Sequence, residues 1–195
     1  MFKNRLEAGL RLAARLQEIQ EGQEGWHGTE MVAIGLPRGG VPVASVVAQV
    51  LGCPLDILCS KKIPAPQNPE VALGAVSSGG TVIIEQSWAR FMSADKEYID
   101  AQVQRLTLET RKREHELLMN AGICERPSVA NKTAIIVDDG IATGMTSLAA
   151  LKDVKARNPK ALVLATPVIA EDTYFQLLRE CDMLVALETP RDFVA

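Results

Sequence analysis

Three apolar runs near the end of the chain, "TAIIVDD" from 133, "ALVLATPVIA" from 161 and "MLVALETP" from 183, are separated by the helical stretches "TSLAALKDVKARNP" and "DTYFQLLREC". A strand with one face in water alternates apolar and polar residues. These runs are apolar throughout, so both faces of the sheet they form must be covered. Strands of this kind alternating with helices point to a parallel sheet with helices on both sides. Such sheets bind ligands beyond the carboxyl ends of their strands, where the crossovers leave a crevice. The chemistry of this chain is therefore to be sought where its strands stop.

The earlier part of the chain fits the same plan less cleanly. Residues 3–20 read as an amphipathic helix with Leu6, Leu10, Ala13 and Leu16 on one stripe. The polar, glycine-rich "EGQEGWHGTE" breaks the pattern, and "MVAIGLP" follows as a buried strand. "GGVPVASVVAQVLG" reads as a helix closed by Gly52, and "LDILCSKK" as a second strand ending in two lysines. "IPAPQNPEVALG" holds Pro64, Pro66 and Pro69 and is expected to form no regular element. "AVSSGGTVIIE" resembles a hairpin turning at Gly79-Gly80. Ser93 is the expected cap of a long charged helix from about 94 to 120, with Ile99, Val103 and Leu106 at helical spacing. Beyond Leu106 the stripe reaches Thr110 and Arg113, so the middle of this helix reads as an exposed arm, a partner surface or a solvated face. The expected fold is α/β, a doubly wound parallel sheet with a helical and hairpin insertion around 75–125. Residues 1–195 read as a single domain, with helix 3–20 and the segment 85–125 as elaborations.

Lys and Arg number 21 against 24 Asp and Glu, a net charge of -3, which gives no bulk attraction to nucleic acid or to a membrane surface. Any anion must be held by a local site. The N-terminus mixes Arg and Glu, unlike a signal peptide, and no apolar run is long enough to cross a bilayer. Cys53, Cys59, Cys124 and Cys181 form no CxxC pair and match no zinc spacing; they read as reduced thiols, and a cytoplasmic setting is expected. His27 and His115 stand alone in polar stretches and read as surface residues, and Trp26 and Trp88 read as packing residues.

One strand end is unusual. In "AIIVDDGIATGMTS", residues 134–147, a buried strand runs into Asp138 and Asp139 and then a loop of small residues opening a helix. Loop amides and the positive end of the helix dipole suit an anion. Gly144 lets the backbone approach it, and Thr143, Thr146 and Ser147 offer hydroxyls. Two carboxylates beside an anion site would be self-defeating unless the ligand also donates hydrogen bonds, since ionised carboxylates only accept them. A ribose 5-phosphate meets both demands: the acids hold its vicinal hydroxyls and the loop holds its phosphate. The loop is not of the Walker A type, because three residues separate Gly140 from Gly144 and no lysine precedes Thr146.

This stretch resembles the phosphoribosyl pyrophosphate (PRPP) motif of the type I phosphoribosyltransferases. By that resemblance Asp138 and Asp139 bind the ribose hydroxyls, and Ala142, Thr143, Gly144, Met145 and Thr146 wrap the 5-phosphate. "GLPRGGVPVA", residues 35–44, is similar to the family's pyrophosphate loop, which often carries a cis non-proline peptide; Pro37-Arg38 and Arg38-Gly39 are the candidates here. The resemblance gives Arg38, Gly39 and Gly40 to the diphosphate. "CSKKIPAPQNPE" places Lys61 and Lys62 where the family grips the diphosphate, before a loop, 63–74, expected to close over the site. "NRLEAG", "PRGGVPVA", "KIPAPQNPE", "GAV" and "VDDGIATGMTS", in this order, are similar to a poorly characterised bacterial subfamily of predicted phosphoribosyltransferases.

The resemblance implies phosphoribosyl transfer from PRPP to a nucleobase or other small nucleophile, with release of pyrophosphate. Arg38, Lys61 and Lys62 would carry catalysis by stabilising the leaving group. Mg²⁺ would arrive with PRPP and be met by Asp138 and Asp139, directly or through water. "ETPRDFVA" resembles the segment in which an aromatic ring stacks on the base, making Phe193 the base-binding candidate; part of the acceptor site is expected beyond the chain's end. The 6-oxopurine enzymes have an aspartate where this chain has Ala142, so the loop is closer to the adenine and orotate type. Three readings stay open: a Mg-dependent transferase of unassigned acceptor, a PRPP-sensing module without turnover, and a subunit like those of PRPP synthase. The expected partners are PRPP and a small-molecule acceptor, without nucleic acid or membrane, and a homodimer is left open.

Overall fold

The computed structural model describes residues 2–22, 30–191 and 193; Trp26 and His27 lie outside the described residues. The chain runs α1 (Arg5–Gly22), β1 (Met31–Gly35), α2 (Gly40–Leu51), β2 (Leu55–Ile57), β3 (Ser60–Pro64), β4 (Ala72–Ser77) and β5 (Val82–Ile84). It continues α3 (Gln86–Phe91), α4 (Lys96–Asn120), β6 (Thr133–Val137), α5 (Met145–Lys155), β7 (Ala161–Val168), α6 (Glu171–Leu177) and β8 (Met183–Glu188).

The main sheet has the order β2-β1-β6-β7-β8, every pairing parallel. The uninterrupted apolar runs are explained by its two covered faces. Ala33, Ile135, Val163 and Val185 point toward Leu12, Leu16, Val43 and Val47 of α1 and α2. Their strand neighbours Ile34, Ile136, Leu164 and Leu184 point toward Ala150, Leu151, Val154 and Leu177 of α5 and α6. The chain steps from β1 outward to β2, then returns on the other side of β1 as β6. This is the reversal of strand order that opens a crevice between the ends of β1 and β6.

Several expectations are corrected. The apolar run 55–62 divides: β2 ends at Ile57, and β3 starts at Ser60 in a separate antiparallel sheet of order β3-β4-β5. The proline-rich stretch is not structureless. Pro64 closes the edge strand β3 where the register slips against β4, a place where a missing N–H costs no ladder bond. The insertion thus starts at β3, earlier than 75, and runs through α4. The helix cap is Asp95, whose carboxylate accepts from the Tyr98 N–H, while Ser93 sits at φ 53 just ahead of it. On α1 the buried face is Ala8, Gly9, Leu12, Ala13 and Leu16, and Leu6 and Leu10 are 60% and 51% exposed. The rotation follows from the tight seat of α1 on α2, where a methyl at Gly9 would come within 2.9 Å of Val46 Cβ. Trp88 is 48% exposed and pairs in a T-shaped contact with the exposed Phe91, three residues on. His115 is exposed, as expected.

α4 is not an exposed arm. Leu106, Thr110, Glu114 and Leu118 are buried along its length against β3 and β4. Thr110 satisfies its hydroxyl on the Leu106 carbonyl at 2.9 Å. Glu114 accepts from the Cys59 N–H at 2.9 Å and from the Ser78 hydroxyl, and Arg126 donates to it at 2.6 Å. The same guanidinium forks onto the fully buried Asp56 at 3.0 and 2.9 Å and reaches the Ile57 carbonyl at 2.9 Å. Arg126 therefore rivets α4 to the end of β2, where the chain leaves the main sheet. Burial of this polar set is tolerated because every member is paired; no buried side-chain polar atom lacks a partner among the described residues.

Arg126→Ala leaves two buried carboxylates without a cation. The expected loss is roughly 3–5 kcal/mol, read as a lower urea midpoint with an unchanged slope. Arg126→Lys should recover only part of it, because an ammonium cannot fork onto Asp56 and still reach Glu114.

Candidate functional site

The loops after β1 and β6 interlock at the crevice. Leu36 N–H donates to the Val137 carbonyl at 2.9 Å, which starts the β1 loop against the end of β6. The Pro37-Arg38 peptide is cis, one of the two bonds the resemblance indicated. The two glycines that follow admit no side chain. A methyl at Gly39 would lie 1.7 Å from Asp139 Oδ2, and one at Gly40 would lie 2.6 Å from the Val137 carbonyl oxygen. The loop of Arg38, Gly39 and Gly40 and the acids Asp138 and Asp139 thus form one continuous surface.

Asp138 is held from three sides. Its N–H donates to the Ala165 carbonyl at 3.2 Å; its carboxylate accepts from the Asp139 N–H at 2.9 Å and the Ser147 hydroxyl at 3.4 Å. Burial pushes its carboxyl up to about 7; the Asp139 N–H pulls it down, and the neighbouring Asp139 charge pushes it up again. Asp139 is met by Arg5, whose Nε and Nη2 both stand 2.8 Å from Oδ2. Sequence reasoning missed Arg5. It lies in "NRLEAG", a stretch the resemblance singled out, but no local pattern says that the first turn of α1 returns to the end of β6.

The loop expected to hold the phosphate runs from Gly140 to the start of α5. Gly144 is its hinge, at φ 69, and a methyl there would come within 2.6 Å of Thr173 Cγ2. The Thr173 hydroxyl donates to the Ala142 carbonyl, tying the loop to α6. Among the described residues α5 has no side-chain cap, so the first-turn amides of Met145 and Thr146 are left as uncapped donors. Thr143 is exposed at the loop's crest. Ser147, read as a phosphate donor, instead serves Asp138. The Phe193 ring lies over Gly140, its Cζ 3.2 Å from where a methyl would be, and so stands beside the acids.

On the other side of Arg38 a cavity of about 820 Å³ is lined by Pro37, Arg38, Ser60, Lys61 and residues of α4. Lys61 is paired with Glu109 at 2.6 Å and holds that carboxyl below its ordinary value. Lys62, next along β3, projects from the opposite face of the ribbon and is not among the cavity's lining residues. The hairpin around the expected lid is anchored at its base: Ile63, Ala65 and Leu73 are buried, and Tyr98 donates to the Pro64 carbonyl at 3.0 Å. Its exposed part is the tip, residues 66–70. Burial also pushes the Cys59 thiol, at the cavity's edge, up to about 12.

A family model described as "Phosphoribosyl transferase domain" matches residues 5–185. Two curated proteins of Mycobacterium tuberculosis, "Putative phosphoribosyl transferase MT0597" and "Putative phosphoribosyl transferase Rv0571c", are each 35% identical to the chain over 195 residues. The match takes in 100% of this chain and 42% of each relative, so the chain spans less than half the length of these curated relatives. Among solved structures, TT1426 from Thermus thermophilus is similar with a TM-score of 0.76 at 35% identity, covering 100% of this chain and 87% of that one. A hypoxanthine phosphoribosyltransferase from Staphylococcus aureus gives a TM-score of 0.51 at 13% identity, covering 97% and 74%, a likeness of fold alone. No helix among the described residues is long and apolar enough to cross a membrane.

The raised carboxyl of Asp138 has a definite sign in stability. The unfolded chain ionises this group near its ordinary value of 3.8, whereas the fold holds it protonated to about 7. Its contribution therefore falls as pH rises through that window and is level above it. Asp138→Asn should match the wild type in acid and become the more stable of the two as pH climbs from 4 to 7. Urea titrations in chelating buffer at several pH values would show a widening gap; a constant gap contradicts the desolvated carboxyl.

Proposed function

Because the chain belongs to the phosphoribosyl transferase domain family, we propose that it binds PRPP and transfers the phosphoribosyl group to a small nucleophile. The observation that carries the reading is the contact of Gly39 with Asp139, which makes one surface of a cation-bearing loop and a diol-binding acid pair. A ligand lying across it would present its ribose hydroxyls to Asp138 and Asp139, its 5-phosphate to 142–146 and its diphosphate to Arg38 and Lys61. Phe193 beside Gly140 is the candidate to stack on the acceptor base.

In the reaction the acceptor's lone pair bonds to the anomeric carbon, and the electron pair of the carbon–oxygen bond leaves with diphosphate. The acceptor's proton passes to water. Positive charge grows on the ribose and negative charge on the leaving group, so Arg38 and Lys61 act most strongly where charge develops. Lys62, on the far face of the ribbon, has a weaker claim. Mg²⁺ fits this donor set. The ion is ordinarily held by one or two carboxylates together with substrate phosphates, and Asp138 and Asp139 stand side by side at the end of β6. Asp138 and Asp139 would hold it, directly or through water, and bound with PRPP it would neutralise the diphosphate.

Ala142 in the phosphate loop favours adenine or a pyrimidine over the 6-oxopurines, and by removing a base-contacting carboxylate it also supports a second reading, a PRPP-sensing module without turnover. Diphosphate release from PRPP, assayed with adenine, hypoxanthine, guanine, xanthine, uracil and orotate, separates the two. The enzyme reading expects one base to accelerate release, and Arg38→Ala to lower turnover more than PRPP affinity. Tight PRPP binding without release by any base leaves the sensor.

Asp138→Asn with Asp139→Asn should weaken PRPP binding by roughly a hundredfold to ten-thousandfold, each charge-assisted bond contributing about 1.5–3 kcal/mol. Calorimetric titration measures it, and an unchanged affinity removes the diol assignment.

A further inference from the structure

α4 presents two different stripes. Leu106, Thr110, Glu114 and Leu118 are buried against the hairpin. One step around the helix, Glu109, Lys112, Arg113 and Glu116 recur at i, i+3, i+4 and i+7, and all four line the cavity that begins at Arg38. The polar interruption at Arg113 in the sequence pattern is therefore no gap in an amphipathic helix. It is a charged wall facing the loop after β1.

The α4 wall by itself balances two cations against two carboxylates, and the excess of positive charge belongs to the cavity as a whole. Arg38, Lys61, Lys112 and Arg113 bring four cations to one cavity, against the two carboxylates Glu109 and Glu116. The chain as a whole carries -3, so the local excess is not a by-product of composition. Glu109 is divided between Lys61 and Arg105, each at 2.6 Å. Glu116 stands 3.9 Å from Arg113, too far for a close pair. Gathering like charges in one concavity is unfavourable unless an anion enters it, and a cavity with low-dielectric walls concentrates their field.

The geometry points to Lys112 and Arg113 as diphosphate-binding residues. α4, an elaboration on the main sheet, is then the outer wall of the leaving-group pocket. Arg38 would hold the diphosphate from the β1 loop, Lys61 from the hairpin, and Lys112 and Arg113 from across the cavity. This inference rests on the PRPP reading above, since it assigns the Arg38 side of the crevice to the leaving group. It adds Lys112, which no sequence motif marks, and Arg113, whose stretch of the sequence reads as an exposed arm, a partner surface or a solvated face.

The test is calorimetric, on the full chain with Mg²⁺, using PRPP, inorganic diphosphate and ribose 5-phosphate as separate titrants. Lys112→Ala with Arg113→Ala should weaken diphosphate and PRPP by roughly tenfold or more, about the effect of losing one charge-assisted bond. Ribose 5-phosphate, which lacks the leaving group, should bind as in the wild type. Arg113→Lys should restore part of the loss. Lys96→Ala, which removes a cation from the start of α4 away from the cavity, should change nothing. Wild-type diphosphate affinity in the double variant overturns the assignment. So does an equal loss for ribose 5-phosphate or in Lys96→Ala, since either marks a change of overall charge or fold. If the wild type binds neither PRPP nor ribose 5-phosphate, it is the underlying PRPP reading that falls.

Discussion

A methyl group at position 39 would sit 1.7 Å from the Asp139 carboxylate, and much of the site follows from that contact. It brings the loop after β1 against the acids after β6, which the reversal of strand order had already placed side by side. Glycine at 39 and 40 is the condition for the approach, because any Cβ would displace either a carboxylate or the Val137 carbonyl. The same closeness explains the electrostatics. Asp138 is packed under the β1 loop and beside a second acid, so burial and a neighbouring charge both favour its protonated form. Arg5, from the first turn of α1, compensates Asp139 from the open side.

The second constraint is the riveting of the insertion. β3, β4 and α4 form their own small core around Ile63, Leu73, Val76 and Leu106. That core is tied to the main sheet by polar bonds: Arg126 links Asp56 and Glu114, and the Ser77 hydroxyl donates to Asp153 of α5. Hydrophobic contact alone would hold the hairpin without fixing its direction. Forked, charged hydrogen bonds fix angle as well as distance, and the direction of β3 decides that Lys61 faces Arg38. A polar network behind the site is thus a positioning device for a cation in front of it.

Much of this was legible in the residues. Uninterrupted apolar runs meant a sheet covered on both faces, and two acids followed by a glycine and hydroxyl loop marked the strand end that meets the loop after β1. Where the reading slipped, a local pattern had two tertiary solutions. "LDILCSKK" has a strand's composition throughout, and nothing within it says that the chain changes sheets after Ile57. Leu6 and Leu10 carry an apolar stripe, but the close seat of Gly9 on Val46 turned a different face inward. Thr110 read as solvated, yet its hydroxyl is satisfied inside α4 by the Leu106 carbonyl, and Glu114 on the same stripe is buried by partners on other elements, Arg126, Ser78 and the Cys59 amide.

The sequence by itself determined the class of fold and which strand end carries the acids and the glycine and hydroxyl loop, because periodicity and residue order are local properties that survive any packing. Only the tertiary structure decided which cations share the cavity. Arg38, Lys61, Lys112 and Arg113 come from three separate elements, and Lys62 is turned away by the alternation of the strand that carries it. It decided equally that Arg5 reaches Asp139 across most of the chain's length. Long-range juxtaposition depends on how helices seat and where a strand leaves its sheet, and those are settled by close packing and buried ion pairs that no short stretch of sequence contains.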